Sequence, residues 1–191
     1  AQLQLDNYVR IFNISRIPVT TWAWNSLIIV VLGTAGTVIT SSLVAYSFAR
    51  FDYRGRNFLF MVTLATLMIP AQVTLIPQFV LFYKIGWINT VLPLWVPLWF
   101  GGSGFAIFLM RQFFLSLPRD LDEAALIDGA SYFRIFWSIL LPLCKPVLAT
   151  LAIIMIIELW GDFLGPLIYL NSPEKFTVAV GLQFFNQVPD I

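Results

Sequence analysis

The chain has 191 residues, of which 59% are hydrophobic and 11% charged, and its formal net charge is +1. Its mean hydropathy of +0.85 indicates an integral membrane protein, since about a quarter of the residues in a water-soluble domain are charged. The few basic residues are dispersed, so nothing points to a nucleic-acid partner. Histidine is absent and Cys144 is the single cysteine, which excludes an internal disulfide, a Cys/His zinc site and a Ser-His or Cys-His nucleophile. We expect neither metal nor cofactor.

Four stretches have the length and polarity of membrane-spanning helices. They cover residues 26–49, 57–82, 89–110 and 146–170. At about 1.5 Å per residue, some 24 residues reach roughly 36 Å, which is enough to cross a hydrocarbon core of about 30 Å. The sequence therefore predicts an all-α, polytopic helix bundle that forms a single domain over residues 1–191.

The basic residues predict the orientation of the bundle. One side carries seven of them, namely Arg50, Arg54, Arg56, Arg111, Arg119, Arg134 and Lys145. The other side carries four, namely Arg10, Arg16, Lys84 and Lys175. Because basic residues accumulate on the cytoplasmic side, the loop over residues 112–145 is predicted to be cytoplasmic.

The first span carries small residues at every fourth position, namely Gly33, Thr37, Ser41 and Ala45. Such a stripe favours tight packing between helices.

The second and third spans contain helix-breaking residues. Pro70 and Pro77 bracket Gln72 in the second span, and a glycine-rich run covers residues 101–104 in the third. Freed carbonyls and Gln72 are therefore candidates for the wall of a cavity. A gate and a fixed kink both fit these features.

The loop between the third and fourth spans is predicted to form two short helices. Asp120 can cap the first helix, and Gly129 suits the left-handed turn that ends it. Ser131 can cap the second helix, which Pro142 is expected to stop.

This loop contains a specific motif: Glu123-Ala124-Ala125, three residues, Gly129, nine residues, Ile139, one residue and Leu141-Pro142. Seven fixed positions, each with odds of about one in fifteen, make a chance match on the order of 10⁻⁸ per starting point. From the residues alone, two interpretations of the loop stay open. It could dock into another protein, or it could be a helical hairpin that packs only on its own spans.

The fourth span carries Glu158 and Asp162, one helical turn apart and hence predicted to share a helix face. An ionisable group at this depth costs about 2.5 to 3.5 kcal/mol, so both should face protein or water. Gly161 and Gly165 would allow close approach or bending. The segment is a candidate wall of a translocation pathway. The alternative is hydrogen-bonded helix packing with protonated carboxyls.

Through the motif at residues 123–142, the chain resembles the inner-membrane permease subunits of binding-protein-dependent ABC importers. The runs at residues 68–70, 75–77, 108–114 and 126–131 resemble the carbohydrate-uptake branch, close to the maltose-type permeases. The resemblance implies a type I importer permease fold in a prokaryotic inner membrane. It also implies a second permease subunit, a cytoplasmic ATP-binding subunit dimer, an extracytoplasmic solute-binding protein and a sugar substrate. Such permeases usually have six spans, so the first and last helices are expected beyond this chain.

The resemblance also implies residue roles. Glu123 would be the charged contact to the ATPase, and Ala124 with Ala125 the close-packing face. Gly129 would form the turn. Ile139, Leu141 and Pro142 would anchor the loop to the next span.

The chain's lysines lie outside any glycine-rich phosphate loop, so the chain itself is expected not to be an enzyme and ATP hydrolysis is expected on a partner. Two further alternatives stay open: an ion-coupled secondary transporter with Glu158 and Asp162 as a proton relay, and a purely structural membrane subunit. Three tryptophans, Trp95, Trp99 and Trp160, fit either sugar stacking or packing.

Overall fold

The computed structural model describes residues 18–185, and these residues form helices and connecting turns without a strand. Ten helices follow in chain order: α1 Val19–Arg50, α2 Arg56–Ala65, α3 Ala71–Lys84, α4 Leu92–Trp95, α5 Gly104–Ser116, α6 Asp120–Ile127, α7 Tyr132–Leu143, α8 Lys145–Gly161, α9 Leu164–Tyr169 and α10 Val178–Phe185. Short 3-10 turns cover Thr66–Met68, Val96–Trp99 and Pro173–Lys175, and α7 widens into a π-helix over Phe136–Leu140. Arg10 and Arg16, which the charge count uses, lie outside the described residues.

Helix α1 is the centre of the bundle. Its 32 residues reach roughly 48 Å, and it packs against α5, α8 and α10. The small-residue stripe from Gly33 to Ala45 is buried, which confirms its predicted packing role. Gly36 lies against the Trp99 ring, whose Nε1 donates to the Leu32 carbonyl (3.0 Å).

The predicted span 57–82 is not one straight helix. The segments Arg56–Met68 and Ala71–Lys84 meet at an angle of 95°. Ile69 is extended (φ −85°, ψ 114°) because the ring of Pro70 disfavours helical geometry in the residue before it. Pro77 remains inside α3.

The predicted span 89–110 overlaps a stretch, Leu92–Ser116, that is long and apolar enough to cross a membrane. It is interrupted over residues 100–103. Gly101 (φ 115°) and Gly102 (φ 63°) adopt the left-handed region there, which confirms the predicted loosening at residues 101–104. Gly102 lies against Ser41 of α1, so this part of the break packs on α1, whereas Phe100 and Gly101 are exposed.

The predicted span 146–170 also breaks, because α8 ends at Gly161 and α9 begins at Leu164. Pro166 has no N–H to donate to the carbonyl of Asp162, four residues earlier, and its ring crowds that carbonyl. Helices α7 and α8 are bent by 78° at Cys144. Counting each bent pair as one span gives up to four spans among the described residues.

Two buried apolar clusters lie at opposite ends of α1. The loop-side core, next to α6 and α7, includes Tyr46, Met110, Phe114, Phe136 and Leu140. The opposite-side core includes Trp22, Ile29, Phe82, Tyr169 and Val180. Helix α1 contributes side chains to both clusters, so it connects the two sides of the bundle.

Candidate functional site

Helix α6 carries the first part of the motif. Its first turn contains Asp120, Asp122 and Glu123, whose charge is favourable beside the positive end of the helix dipole. The prediction that Asp120 caps this helix is wrong. Arg119 already has helical angles (φ −70°, ψ −24°) and no side-chain cap hydrogen bond forms, so Asp120 lies inside the first turn.

The turn between α6 and α7 has the predicted geometry. Gly129 has φ 81°, its N–H donates to the Leu126 carbonyl (3.0 Å), and the Ala130 N–H donates to the Ala125 carbonyl (2.9 Å). This pair of bonds is a Schellman motif. The Ser131 hydroxyl accepts from the Arg134 N–H (3.3 Å), which confirms the predicted cap of α7.

Pro142 does not end the second helix as predicted. Helix α7 continues through it to Leu143, and the bend follows at Cys144. Pro142 has no N–H to donate within the helix. It lies two residues after the wider π-helical turn Phe136–Leu140, where the regular α-helical hydrogen bonding is already interrupted.

Part of the motif faces outward. Glu123 and Ala124 are exposed, and the side chain of Ile127 is 86% exposed. Because residues four apart are neighbours on a helix, Glu123 and Ile127 share one face with Ala124 beside them. We call these three residues the docking face. It joins one negative charge to apolar surface that the described residues leave uncovered.

The rest of the motif lies nearer the bundle. Ala125 is buried in the loop-side core, so its methyl group packs within the chain rather than outside it. Gly129 is exposed in the turn. Ile139 and Leu141 are half-buried against the loop-side core, whereas Pro142 is exposed.

An ion pair fixes α6 to α1. Arg50 Nε lies 3.0 Å from Asp122 Oδ2, and the two side chains are only 5% and 15% exposed. A second guanidinium nitrogen of Arg50 donates to the Leu117 carbonyl (3.2 Å). Burial raises the pKa of the Asp122 carboxyl, while Arg50 acts in the opposite direction. Sequence reasoning missed this pair, because it used Arg50 only for orientation.

The second loop helix is fixed to the same end of α1. The Tyr46 hydroxyl donates to the Tyr132 carbonyl (3.2 Å). The Tyr46 ring packs on Phe51 and Phe136 with centroids 5.2 and 5.1 Å apart, and Phe51 packs on Tyr132 at 5.1 Å. The last turns of α1 therefore hold both α6 and α7.

A separate cleft of about 380 Å³ lies between α3, α4, α8 and α9. Its polar lining includes Gln72, Thr74, Gln78, Asp162 and Tyr169. Gln72 and Asp162 were both predicted from the sequence as pathway residues, and the structure brings them to one cavity. Hydroxyl, amide and carboxylate groups in one cleft can exchange hydrogen bonds with a polar solute.

The structure places Glu158 and Asp162 differently, since only Asp162 lines the cleft. Asp162 lies beyond the end of α8 in extended geometry (ψ 119°), and its carboxylate accepts from the Gly165 N–H (3.2 Å). Glu158 is exposed outside the cleft. A proton relay between these two carboxyls therefore loses its geometric basis.

The three tryptophans considered for sugar stacking do not line this cleft. Trp99 packs on Gly36 of α1, and Trp160 borders a different surface groove beside Trp24. The position of Trp99 favours the packing alternative for that residue.

Comparisons with known proteins agree with this geometry. Residues 37–188 match the family model described as "Binding-protein-dependent transport system inner membrane component". The chain is 39% identical over 184 residues to an arabinooligosaccharides transport system permease protein of Halalkalibacterium halodurans, covering 94% of this chain and 63% of that protein. It is 35% identical over 185 residues to a trehalose/maltose transport system permease protein of Thermococcus litoralis, covering 96% and 66%.

A solved structure has the same fold. It is a bacterial ABC transporter involved in the import of the acidic polysaccharide alginate, and it matches with a TM-score of 0.84 at 25% identity. The match covers 100% of this chain and 65% of that chain. The chain thus spans about two thirds of the length of the proteins that it matches.

Proposed function

The chain belongs to the family of inner-membrane components of binding-protein-dependent transport systems, and from this premise we propose that it is a permease subunit of an ATP-driven ABC importer. It translocates a sugar or related solute by alternating access. The relatives' names support the solute class, since they include arabinooligosaccharide and trehalose/maltose systems and a system for sn-glycerol-3-phosphate.

The observation that carries the proposal is the docking face. Glu123 is a charged, exposed group on a helix that a Schellman turn and an ion pair hold in one orientation. A preorganised charge beside exposed apolar surface binds a partner at low entropic cost. The partner is a cytoplasmic ATP-binding subunit, whose closure moves the loop as a rigid body.

The remaining partners follow from the same assignment. A second permease subunit completes the membrane part, an ATPase dimer contacts the loop side, and a solute-binding protein delivers the solute on the opposite side. The ATPase contact includes Glu123, Ala124 and Gly129. Four further residues of the motif support this contact from within or beside the bundle, namely Ala125, Ile139, Leu141 and Pro142.

The cleft at Gln72 and Asp162 is the part of the translocation pathway that this chain supplies. Its amide and carboxylate groups provide hydrogen bonds for solute hydroxyls during passage. Glu158, outside the cleft, has no part in this step.

The test is ATP-driven uptake over a panel of sugars by the full-length permease, copurified with its ATPase and second permease subunit, reconstituted in liposomes and supplied with the solute-binding protein. Glu123→Lys should insert normally and lower uptake by about ten- to hundredfold, because a hydrogen bond to a charged group contributes about 1.5 to 3 kcal/mol.

Glu123→Gln is the matched control, since it keeps the shape and removes only the charge, and it should retain intermediate uptake. Wild-type uptake by Glu123→Lys would contradict the proposed docking role.

A further inference from the structure

We propose that helix α1 moves as a rigid body and carries the movement of the loop α6–α7 to the opposite membrane side. The Arg50–Asp122 ion pair is the connection between α6 and α1 through which this movement passes. The inference rests on the proposed function and deepens it. Arg50 and Asp122 are positioning residues in this account, because they act through the helices that they connect.

The Arg50–Asp122 ion pair is specific and is shielded from water. Asp122 is one residue from Glu123 of the docking face, yet its side chain points to α1 and pairs with Arg50 at 3.0 Å. The attraction within a charge pair that is largely removed from water is screened less than that within an exposed pair. A displacement of α6 by a partner therefore pulls directly on the end of α1.

Helix α1 is continuous from one side to the other. It contains no proline and no break over its 32 residues, whereas the other long apolar segments between residues 18 and 185 are bent or interrupted. A continuous helix moves as one body, while a broken one absorbs displacement at its hinge.

The far end of α1 is fastened to the segment between α9 and α10. Trp22 Nε1 donates to the Pro173 carbonyl (2.7 Å), and the Asn25 amide donates to the carbonyls of Glu174 (2.9 Å) and Phe176 (3.1 Å). The Val178 N–H donates to the Ser26 hydroxyl (3.0 Å). We call residues 173–178 the far segment.

Together with helix α1, these contacts connect the docking face to the far segment without a break. ATP-driven movement of α6 should reposition the far segment. By thermodynamic linkage, a partner that binds the far segment should in turn bias the position of the loop.

The experiment uses the same reconstituted complex, in which the full-length permease is joined by its ATPase, the second permease subunit and the solute-binding protein, with an environment-sensitive fluorophore on Glu174→Cys. The side chain of Glu174 is exposed, and the native Cys144 is buried. The fluorescence change on adding ATP reports the far segment, and ATP hydrolysis is measured in parallel.

The variants are Arg50→Asp, Asp122→Arg and the double charge swap, with Asp120→Arg as the matched control on the same helix turn. Each single variant should lower the fluorescence response at least about fivefold while ATP hydrolysis stays within about twofold. The double swap should restore much of the response, and Asp120→Arg should leave it unchanged. If a charge reversal fails to assemble, Asp122→Asn keeps the shape and should weaken the response in the same direction.

A full response in the single variants would overturn the proposal. So would a parallel loss of response and ATP hydrolysis without rescue by the swap, since that result describes a merely structural pair. A wild-type complex without ATP-dependent uptake would instead refute the proposed function, so the two failures are distinguishable.

Discussion

Gly129 and Gly102 show at the scale of single residues how backbone geometry and packing act separately. Both have positive φ, at 81° and 63°. No atom lies within 4 Å of a Cβ added to Gly129, whereas a Cβ on Gly102 would meet the hydroxyls of Ser41 and Thr40. Gly129 is therefore constrained by its conformation alone, and Gly102 by conformation and space.

Alanine substitution should separate the two costs. Gly129→Ala should destabilise the full-length protein by about 1 kcal/mol, the cost of a left-handed L-residue. Gly102→Ala should cost about 1 to 3 kcal/mol more, because it also overpacks α1. Thermal midpoints in detergent measure both, and equal losses would contradict the packing assigned to Gly102.

Asp122 should make stability depend on pH. Its pKa is raised by burial, against the pull of Arg50 and Arg119 and with a smaller contribution from Glu123. The folded state therefore holds the proton more tightly than the unfolded chain does. Stability is greatest below the ordinary carboxyl pKa of about 4 and falls as pH rises through the raised value.

Thermal midpoints over a pH series test this expectation. The wild-type midpoint, relative to that of Asp122→Asn, should fall as pH is raised from about 4 towards 7. Asp120→Asn controls for the loss of one carboxyl from the same turn. Parallel curves for wild type and Asp122→Asn would show that Asp122 contributes nothing to the pH dependence.

The sequence could predict the roles of those residues whose interactions are with near neighbours in the chain. The Gly129 turn and the Ser131 cap depend on neighbours within a few positions, so their residue types predict them. The partner of Asp122 lies on a distant helix, and only the fold brings Arg50 to it. The same holds for Ala125, whose buried position follows from the packing of α6.

At the scale of elements, the bundle depends on how closely other helices approach α1. A Cβ on Gly36 would lie 2.5 Å from Trp99 Cδ1, so the ring occupies the space that any side chain would need. Gly161, at the end of α8, has no atom within 4 Å of an added Cβ.

The same substitution should therefore have opposite effects at these two glycines. Gly36→Ala should destabilise by about 1 to 3 kcal/mol through overpacking. Gly161→Ala should be neutral or stabilise by up to about 1 kcal/mol, because alanine has the higher helix propensity. Thermal midpoints of the full-length protein provide the comparison, and a loss at Gly161 as large as that at Gly36 would refute the close approach at Trp99.

Hydropathy was sufficient to place the apolar segments but not to shape them. Pro70 and the glycines at 101–104 mark two of the breaks in the sequence, since they remove donors or permit left-handed geometry. Hydropathy alone predicted neither the 95° bend between Met68 and Ala71 nor the end of α8 at Gly161, ahead of Pro166. The expectation that Glu158 and Asp162 share a helix face assumed a continuous helix, whereas α8 ends between them at Gly161 and only Asp162 lines the cleft.

At the scale of the whole molecule, α1 joins two cores and two surfaces. Its loop-side end holds both α6 and α7, and its far end holds the segment at residues 173–178. The spacing of the motif predicted the family and the docking loop. It did not predict that the loop is held by α1, because no residue in the motif itself makes the Arg50 contact.

The most direct test of the docking claim is site-specific cross-linking in the full-length permease purified with its ATPase. Ile127→Cys lies on the docking face, and Tyr83→Cys is a control near the end of α3 at a residue that is also well exposed (70% against 86%). A short thiol cross-linker should join Ile127→Cys to the ATP-binding subunit and leave Tyr83→Cys unlinked. The account is contradicted if Ile127→Cys forms no adduct with that subunit, with or without nucleotide.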